Sequence, residues 1–285
     1  MSSPNSQGHC ALNPVSFEEK KYEIKEAAVK KKIAVIGGGI GGMEVARLCS
    51  MMGHTVDLYE KTDRLGGVFI AAAAPDFKEK DKELIEWYKT QIKKLPITLH
   101  MNTEITSLSE IRADEIVVAT GAAPRKLPVP GFEKGIEAID YLLGKKEVGT
   151  KVAVIGGGLT GCEIAYDLAK KGKEPFVVEM TEDLIKALGI CAANSSCLRD
   201  LLRYYKVPVY LESTLKEIQD HNVVILTPDG EKVIDCDSVV LSVGYVPGTS
   251  LVKESSEHVH ILGDAAKVGN LKNVIWGAYD LAFSL

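Results

Sequence analysis

Two glycine clusters carry the clearest chemical signal in this 285-residue chain. Gly37-Gly38-Gly39-Ile40-Gly41-Gly42 follows the apolar run KIAVI, and Gly156-Gly157-Gly158-Leu159-Thr160-Gly161 follows KVAVI. Each reads as a strand, then G-x-G-x-x-G, then a helix. Gly37 and Gly156 permit the tight turn, and Gly39 and Gly158 let backbone approach a pyrophosphate. Gly42 and Gly161 let the helix pack closely on the strand. The helix N-terminus adds free N–H groups and partial positive charge. An acidic residue about 20 positions on suits ribose hydroxyls, and Glu60 and Glu179 stand there at the ends of TVDLYE and EPFVVE. A lone glycine motif is a weak sign, but these two copies repeat at one fixed offset. Glu44 maps to Glu163, Ala46 to Ala165, and Thr62-Asp63-Arg64-Leu65 to Thr181-Glu182-Asp183-Leu184. Two dinucleotide sites are therefore expected.

The elements that must position them follow from periodicity. Residues 115–119 read as a buried strand ending in Thr120-Gly121, and residues 238–243 as its counterpart ending in Gly244. Residues 207–211 and 222–227 read as strands, with Asp229-Gly230 turning into residues 232–234. Leu84, Ile85, Tyr88 and Ile92 share one face of a helix over residues 78–94. Residues 258–262 form a short strand before Gly263-Asp264 and an apolar helix from about residue 273. Residues 1–30 form a polar arm, expected to be solvated and partly helical. The fold class is α/β, with two Rossmann-like dinucleotide-binding domains. Composition agrees: hydrophobic residues make up 46% and charged residues 26%, as in ordinary globular chains. A net charge of −5 argues against nucleic acid as a partner, and no apolar stretch is long enough for a membrane span. The opening MSSPNSQGHC lacks a secretory core and the six cysteines are scattered without C-x-x-C spacing, so a cytoplasmic location is expected.

In this order the motifs GGGIGG, Leu65-Gly66-Gly67, Val118-Ala119-Thr120-Gly121, GGGLTG and Gly263-Asp264-Ala265 resemble the two-dinucleotide-binding-domain flavoproteins. The resemblance implies an FAD domain split into residues 31–125 and 248–285, with an NAD(P)H domain (126–247) inserted. Within that superfamily, Gly8-His9-Cys10-Ala11-Leu12-Asn13-Pro14 and the tail around Gly263 are similar to the 2-enoate reductase and 2,4-dienoyl-CoA reductase iron–sulfur flavoenzymes. There an N-terminal barrel carries FMN and substrate, and four cysteines hold a [4Fe–4S] cluster. The sequence here has no such barrel, and Cys10 is a metal ligand only if partner cysteines come from elsewhere. The chain thus looks like the family's C-terminal module. FMN and the cluster are not bindable by it alone, and a barrel domain or subunit is the implied partner.

On that resemblance Gly37, Gly39, Gly42 and Glu60 belong to FAD. Asp264 is expected on a ribityl hydroxyl, its plain alternative being a helix N-cap. Gly67 would face the flavin, with Thr120, Gly121 and Gly263 around it. Ile105, in a strand over residues 104–106, would offer its backbone to the adenine or else be ordinary core. Gly156, Gly158, Gly161, Gly244 and Glu179 belong to NADH, and Glu163 stands near the nicotinamide ribose or serves the helix dipole. Met180, Thr181, Glu182 and Asp183 follow Glu179, with no arginine for a 2′-phosphate. Two like charges about 4 Å apart cost roughly 4 kcal/mol at an effective dielectric near 20, which after screening favours NADH over NADPH on the order of a hundredfold. Disulfide reductases of the superfamily carry a cysteine pair, but VFIAAAAPDF follows Gly67 here. Cys162 reads as a small packed residue. The expected function is hydride transfer from NADH to FAD, with electrons passed on to the barrel partner for C=C reduction. No catalytic side chain is assigned. A self-contained NADH:acceptor reductase serving ferredoxin or quinone, and a non-catalytic ADP-binding module, are the alternatives.

Overall fold

The computed structural model describes residues 10–186, 189, 191–248, 251 and 256–285, so Gly8 and His9 of the N-terminal motif lie outside it. The strands begin with β1 (Lys32–Ile36), β2 (Thr55–Tyr59), β3 (Ile97–His100), β4 (Glu115–Val118) and β5 (Ala122–Pro124). Next come β6 (Ile136–Glu137), β7 (Lys151–Ile155), β8 (Glu174–Val178), β9 (Val209–Tyr210) and β10 (Thr214–Ile218). The last five are β11 (Asn222–Thr227), β12 (Gly230–Asp235), β13 (Ser238–Leu241), β14 (Tyr245–Pro247) and β15 (Val259–Ile261). The helices are α1 (Ile40–Met51), α2 (Phe69–Ala72), α3 (Glu79–Lys94), α4 (Ala138–Leu142), α5 (Leu159–Lys170), α6 (Ala192–Tyr204) and α7 (Leu271–Ala282). The chain divides into two compact units. The first joins Met1–Ile70, Glu79–Ala123 and Val246–Leu285, and the second joins Ala71–Lys78 and Pro124–Tyr245.

The first unit is built on a parallel sheet in the order β15-β4-β1-β2-β3. Its central strands β1 and β4 are almost wholly apolar and buried, as strands covered on both faces must be. Helix α3 buries Ile85, Tyr88 and Ile92, three of the four residues expected on its inner face. Helix α7 packs on α1. On the other face Ile36, Ile116 and Val118 meet Leu108 and Leu251.

The arm departs from expectation. Residues 10–30 contain turns but no helix, and Tyr22 is only 2% exposed. Its ring lies 5.2 Å from Tyr279 and 5.4 Å from Phe283, edge to face, and its hydroxyl donates to Asp280 Oδ1 at 2.7 Å. The charged residues around Tyr22 stay exposed, so the arm is solvated as expected apart from this one aromatic anchor with a satisfied hydroxyl.

The second unit repeats the topology as β6-β13-β7-β8-β9, all parallel. One face packs on α5 and α6 through Ile164, Leu168, Leu198 and Leu202. The other lies under an antiparallel meander, β10-β11-β12, whose Ile218, Val223 and Ile225 cover Ile155, Phe176 and Val178. The segment Ala71–Lys78, inside the span 31–125 expected for the first domain, lies along α5 instead. Lys78 pairs with Glu163 at 2.8 Å, the Phe77 ring lies 5.2 Å from Tyr166, and Lys170 reaches Asp76 at 2.8 Å. Positions 163, 166 and 170 share one helical face. Strands β5 and β14 pair as a two-stranded ribbon. No helix among the described residues is long and apolar enough to cross a membrane.

Candidate functional site: two dinucleotide loops

In both units the expected residues gather at the C-terminal ends of parallel strands, where the strand order reverses. That edge is the usual ligand-binding crevice of open α/β sheets. In the first unit β1 runs into Gly37, β2 into Glu60, β4 into Thr120-Gly121 and β15 into Gly263-Asp264. In the second, β7 runs into Gly156, β8 into Glu179 and β13 towards Gly244.

The glycines are required by geometry. Gly37 has φ +110°, and a Cβ there would lie 2.4 Å from the Ala119 carbonyl oxygen. A Cβ on Gly42 would lie 1.9 Å from the Gly37 carbonyl oxygen, so helix α1 could not seat on its strand. Gly39 differs, because a Cβ there meets no protein atom within 4 Å. The second loop matches: Gly156 faces the Ser242 carbonyl oxygen at 2.2 Å, Gly161 faces that of Gly156 at 1.9 Å, and Gly158 faces open space.

The helix ends show what that space suits. Helices α1 and α5 start at Gly39 and Gly158 with no side-chain cap and no acid in the first turn. Helix α7 is capped reciprocally by Asn270 and Asn273. Unanswered N–H groups beside open space at a positive helix end fit a pyrophosphate. The residues present therefore fit a dinucleotide in each unit.

Both glutamates are held rigidly. Glu60, 7% exposed, accepts from Gly38 N at 2.8 Å through Oε2 and from Thr62 N and Oγ1 at 2.9 and 2.8 Å through Oε1. Glu179, 8% exposed, accepts from Gly157 N through Oε2 at 2.6 Å and from Thr181 N and Oγ1 through Oε1, both at 2.8 Å. Each carboxylate is thus pre-oriented at the strand end with Oε2 lone-pair capacity left for a ribose hydroxyl. The threonines belong to the repeat, which was the only sequence sign of their role.

The remaining positions are more mixed. Gly66 N donates to the Gly38 carbonyl at 2.8 Å, which brings Gly67 against Gly39. Gly121 and Gly244 take φ of +76° and +87° beside open space. Asp264 does not cap α7: its Oδ1 accepts from Gly269 N at 2.9 Å, and burial raises its pKa above the usual carboxylate range. Ile105 lies in irregular backbone rather than in a strand, and its side chain packs against the Leu108 and Val118 cluster. Glu163 sits beyond the first turn of α5, with Lys78 rather than the helix dipole as its partner. Burial pushes the Cys49 and Cys162 thiols up to about 12 and that of Cys236 to about 11, away from thiolate chemistry. Cys10 is exposed, and its carbonyl accepts from Trp276 Nε1 at 3.0 Å. Among the described residues no group of three or more His, Cys, Asp or Glu side chains could hold a metal ion.

One neighbour of this corner is not visible in the local sequence. No arginine follows Glu179 in sequence, yet α6 brings Arg199 to this corner. Arg199 Nη2 lies 3.0 Å from Asp183 Oδ2 and Nε lies 3.3 Å from Oδ1, and the pairing holds the Asp183 carboxyl below its ordinary range. The turn after Glu179 is therefore less negative than its sequence reads.

Two uncapped glycine-loop helices, each with a fixed glutamate, define a two-dinucleotide flavoprotein oxidoreductase that binds FAD and a nicotinamide nucleotide. Comparison with known proteins agrees. The "Pyridine nucleotide-disulphide oxidoreductase" family model matches residues 106–264, and the "NAD(P)-binding Rossmann-like domain" model matches residues 35–80. The chain belongs to the pyridine nucleotide-disulphide oxidoreductase family. It is 39% identical over 279 residues to cinnamate reductase of Clostridium sporogenes, covering 96% of this chain and 42% of that protein. It is 30% identical over 295 residues to NADH oxidase of Thermoanaerobacter brockii, covering 99% and 45%. Among solved structures, the 2-naphthoyl-CoA reductase complex with 2-naphthoyl-CoA matches with a TM-score of 0.89 and 32% identity over 97% of this chain and 43% of that one. The resemblance to the FAD/NAD(P)H module of enoate-reductase-type enzymes is borne out, and the chain spans less than half the length of these relatives.

Proposed function

We propose that this chain is the NADH-oxidising module of a larger enzyme that reduces activated C=C bonds. FAD would occupy the first unit and NADH the second. The observation that carries this reading is the pairing, in both units, of an uncapped helix N-terminus with a buried glutamate at the neighbouring strand end. In the first unit Gly37, Gly39 and Gly42 make room for the pyrophosphate, and Glu60 holds the adenosine ribose. Asp264 orients the ribityl chain through its Oδ2, which has no protein hydrogen-bond partner among the described residues. In the second unit Gly156, Gly158 and Gly161 take the pyrophosphate, Glu179 the ribose, and Glu163, neutralised by Lys78, lines the nicotinamide side. When bound, the flavin supplies hydride acceptance from nicotinamide and electron transfer onward. That step asks for reacting atoms at about 3–3.5 Å and for positioning rather than an acid or base from the protein.

The onward partner is a barrel carrying FMN and an iron–sulfur cluster. Supporting it are the relatives named cinnamate reductase and 2-naphthoyl-CoA reductase, of which this chain covers 42% and 43%. A cytoplasmic location fits the six free cysteines. The test is the visible spectrum of the chain as purified, followed by its anaerobic titration with NADH. Bleaching of the flavin absorbance at one equivalent is expected. A colourless, well-folded protein containing ADP would overturn the reading.

A further inference from the structure

We infer that Asp183 and Arg199 set which nicotinamide nucleotide the second unit accepts: Asp183 ties down and neutralises the Arg199 guanidinium that α6 brings to the turn after Glu179. This rests on the proposed NADH site and deepens it. The Thr181 hydroxyl, with two acceptors in reach, sits between the two places. Glu179 Oε1 accepts from Thr181 Oγ1 at 2.8 Å, and that same hydroxyl lies 2.8 Å from the Asp183 carbonyl oxygen. The Asp183 carboxylate then meets Arg199 through two contacts, and Arg199 also donates to the Leu184 carbonyl. Leu184, whose carbonyl Arg199 holds, packs against Gly157, and the next residue's N–H donates to the Gly157 carbonyl at 2.8 Å, which ties the guanidinium's anchor to the glycine loop. The Arg199 side chain is 21% exposed, so it is pinned but not sealed off.

The repeat sharpens the point. The counterpart of Asp183 in the first unit is Arg64, whose nearest acid is its exposed neighbour Asp63 at 3.9 Å. The turn thus carries a loose arginine in one unit, and in the other an aspartate that binds an arginine from α6. A guanidinium is the preferred partner of a phosphate because its fork donates two parallel hydrogen bonds. Paired to Asp183, it offers a 2′-phosphate no net charge to offset Glu179. Selectivity by withholding a partner is as effective as selectivity by adding one.

The test uses redox-inert ligands on the full chain. Calorimetry with ADP-ribose and 2′-phospho-ADP-ribose measures the corner without any flavin reaction. The wild type should favour ADP-ribose. Asp183→Asn keeps an Oδ1 acceptor for Leu184 N, which Asp183 now takes at 2.8 Å, but discharges the pair. It should shift the ratio about tenfold towards the 2′-phosphorylated ligand, and Arg199→Met added to it should abolish the shift. The NADPH to NADH ratio of kcat/KM should move in parallel. Asp183→Ser serves if the asparagine variant fails to fold. An unchanged ratio in the single variant, or a shift that survives in the double, overturns the inference and makes Arg199 a strut for α6. If neither ligand binds the wild type, the nucleotide site itself falls.

Discussion

Asp264 shows how a single residue can work against stability for a ligand. Burial raises its carboxyl pKa, so the folded state disfavours the charged form. The sign follows from linkage: a raised folded pKa favours the fold below the unfolded value, and that advantage is lost as pH climbs through the folded value. Asp264→Asn keeps an acceptor for Gly269 N and removes the charge. The flavin-free variant should therefore melt higher than wild type at neutral pH, with the gap closing near pH 4, below which both are neutral. Thermal melts across that range check it, and flavin retention should fall in the same variant. The site's positions were legible where spacing encodes backbone geometry, as at Gly37, Gly42, Glu60 and their counterparts. Arg199 was not, because it lies 16 positions beyond Asp183 in the sequence and it is α6, seated through Leu198 and Leu202, that brings its side chain there. Ile105 was misplaced because three alternating residues suggest a strand, but among the described residues none pairs with it.

At the scale of elements, the long parallel strands and α3 were readable because burial on both faces, or on one helical stripe, leaves an unambiguous pattern. Helix α6 was not, since its first turns, AANSSC, are small and polar and only Leu198 and Leu202 are buried. Strand β10 was hidden by a register shift between Leu215 and Glu217 that breaks its alternation. The loop-to-helix junctions make opposite demands at two glycines, and this can be tested. Gly158→Ala adds a methyl group to open space, so its denaturation midpoint should stay within about 0.5 kcal/mol of wild type. Its affinity for ADP-ribose should nevertheless drop at least tenfold, because the methyl would stand where the pyrophosphate goes. Gly161→Ala meets a backbone oxygen and should lose about 1–3 kcal/mol of stability as well. Equal behaviour of the two variants would mean that the open space beside Gly158 holds no ligand.

Across the whole molecule, two copies of one five-stranded plan differ in what covers one sheet face. In the second unit that face carries Phe176 and Val178 beneath the meander. In the first, the matching positions are Asp57 and Tyr59, which meet His100 by a 2.8 Å contact and by ring stacking at 4.3 Å. Polar groups thus replace apolar ones where the connection from β3 to β4 is too short to supply a cover. The pairing of β15 with β4 has a further consequence, for the order in which the protein is made. During synthesis, at about 5–20 residues per second, the chain emerges from its N-terminal end. The stretch Pro124–Tyr245, with Ala71–Lys78 already made, completes the second unit while the first still lacks β15 and α7. The unit begun first should therefore close last, leaving the surface of α1 that packs on α7 and the anchor site of Tyr22 open on the ribosome. Ribosome-stalled chains probed by brief proteolysis offer the measurement. A protected second unit should appear once Tyr245 has emerged, while α1 and the arm stay cleavable until α7 follows; simultaneous protection of both would mean that the first sheet nucleates without its final strand.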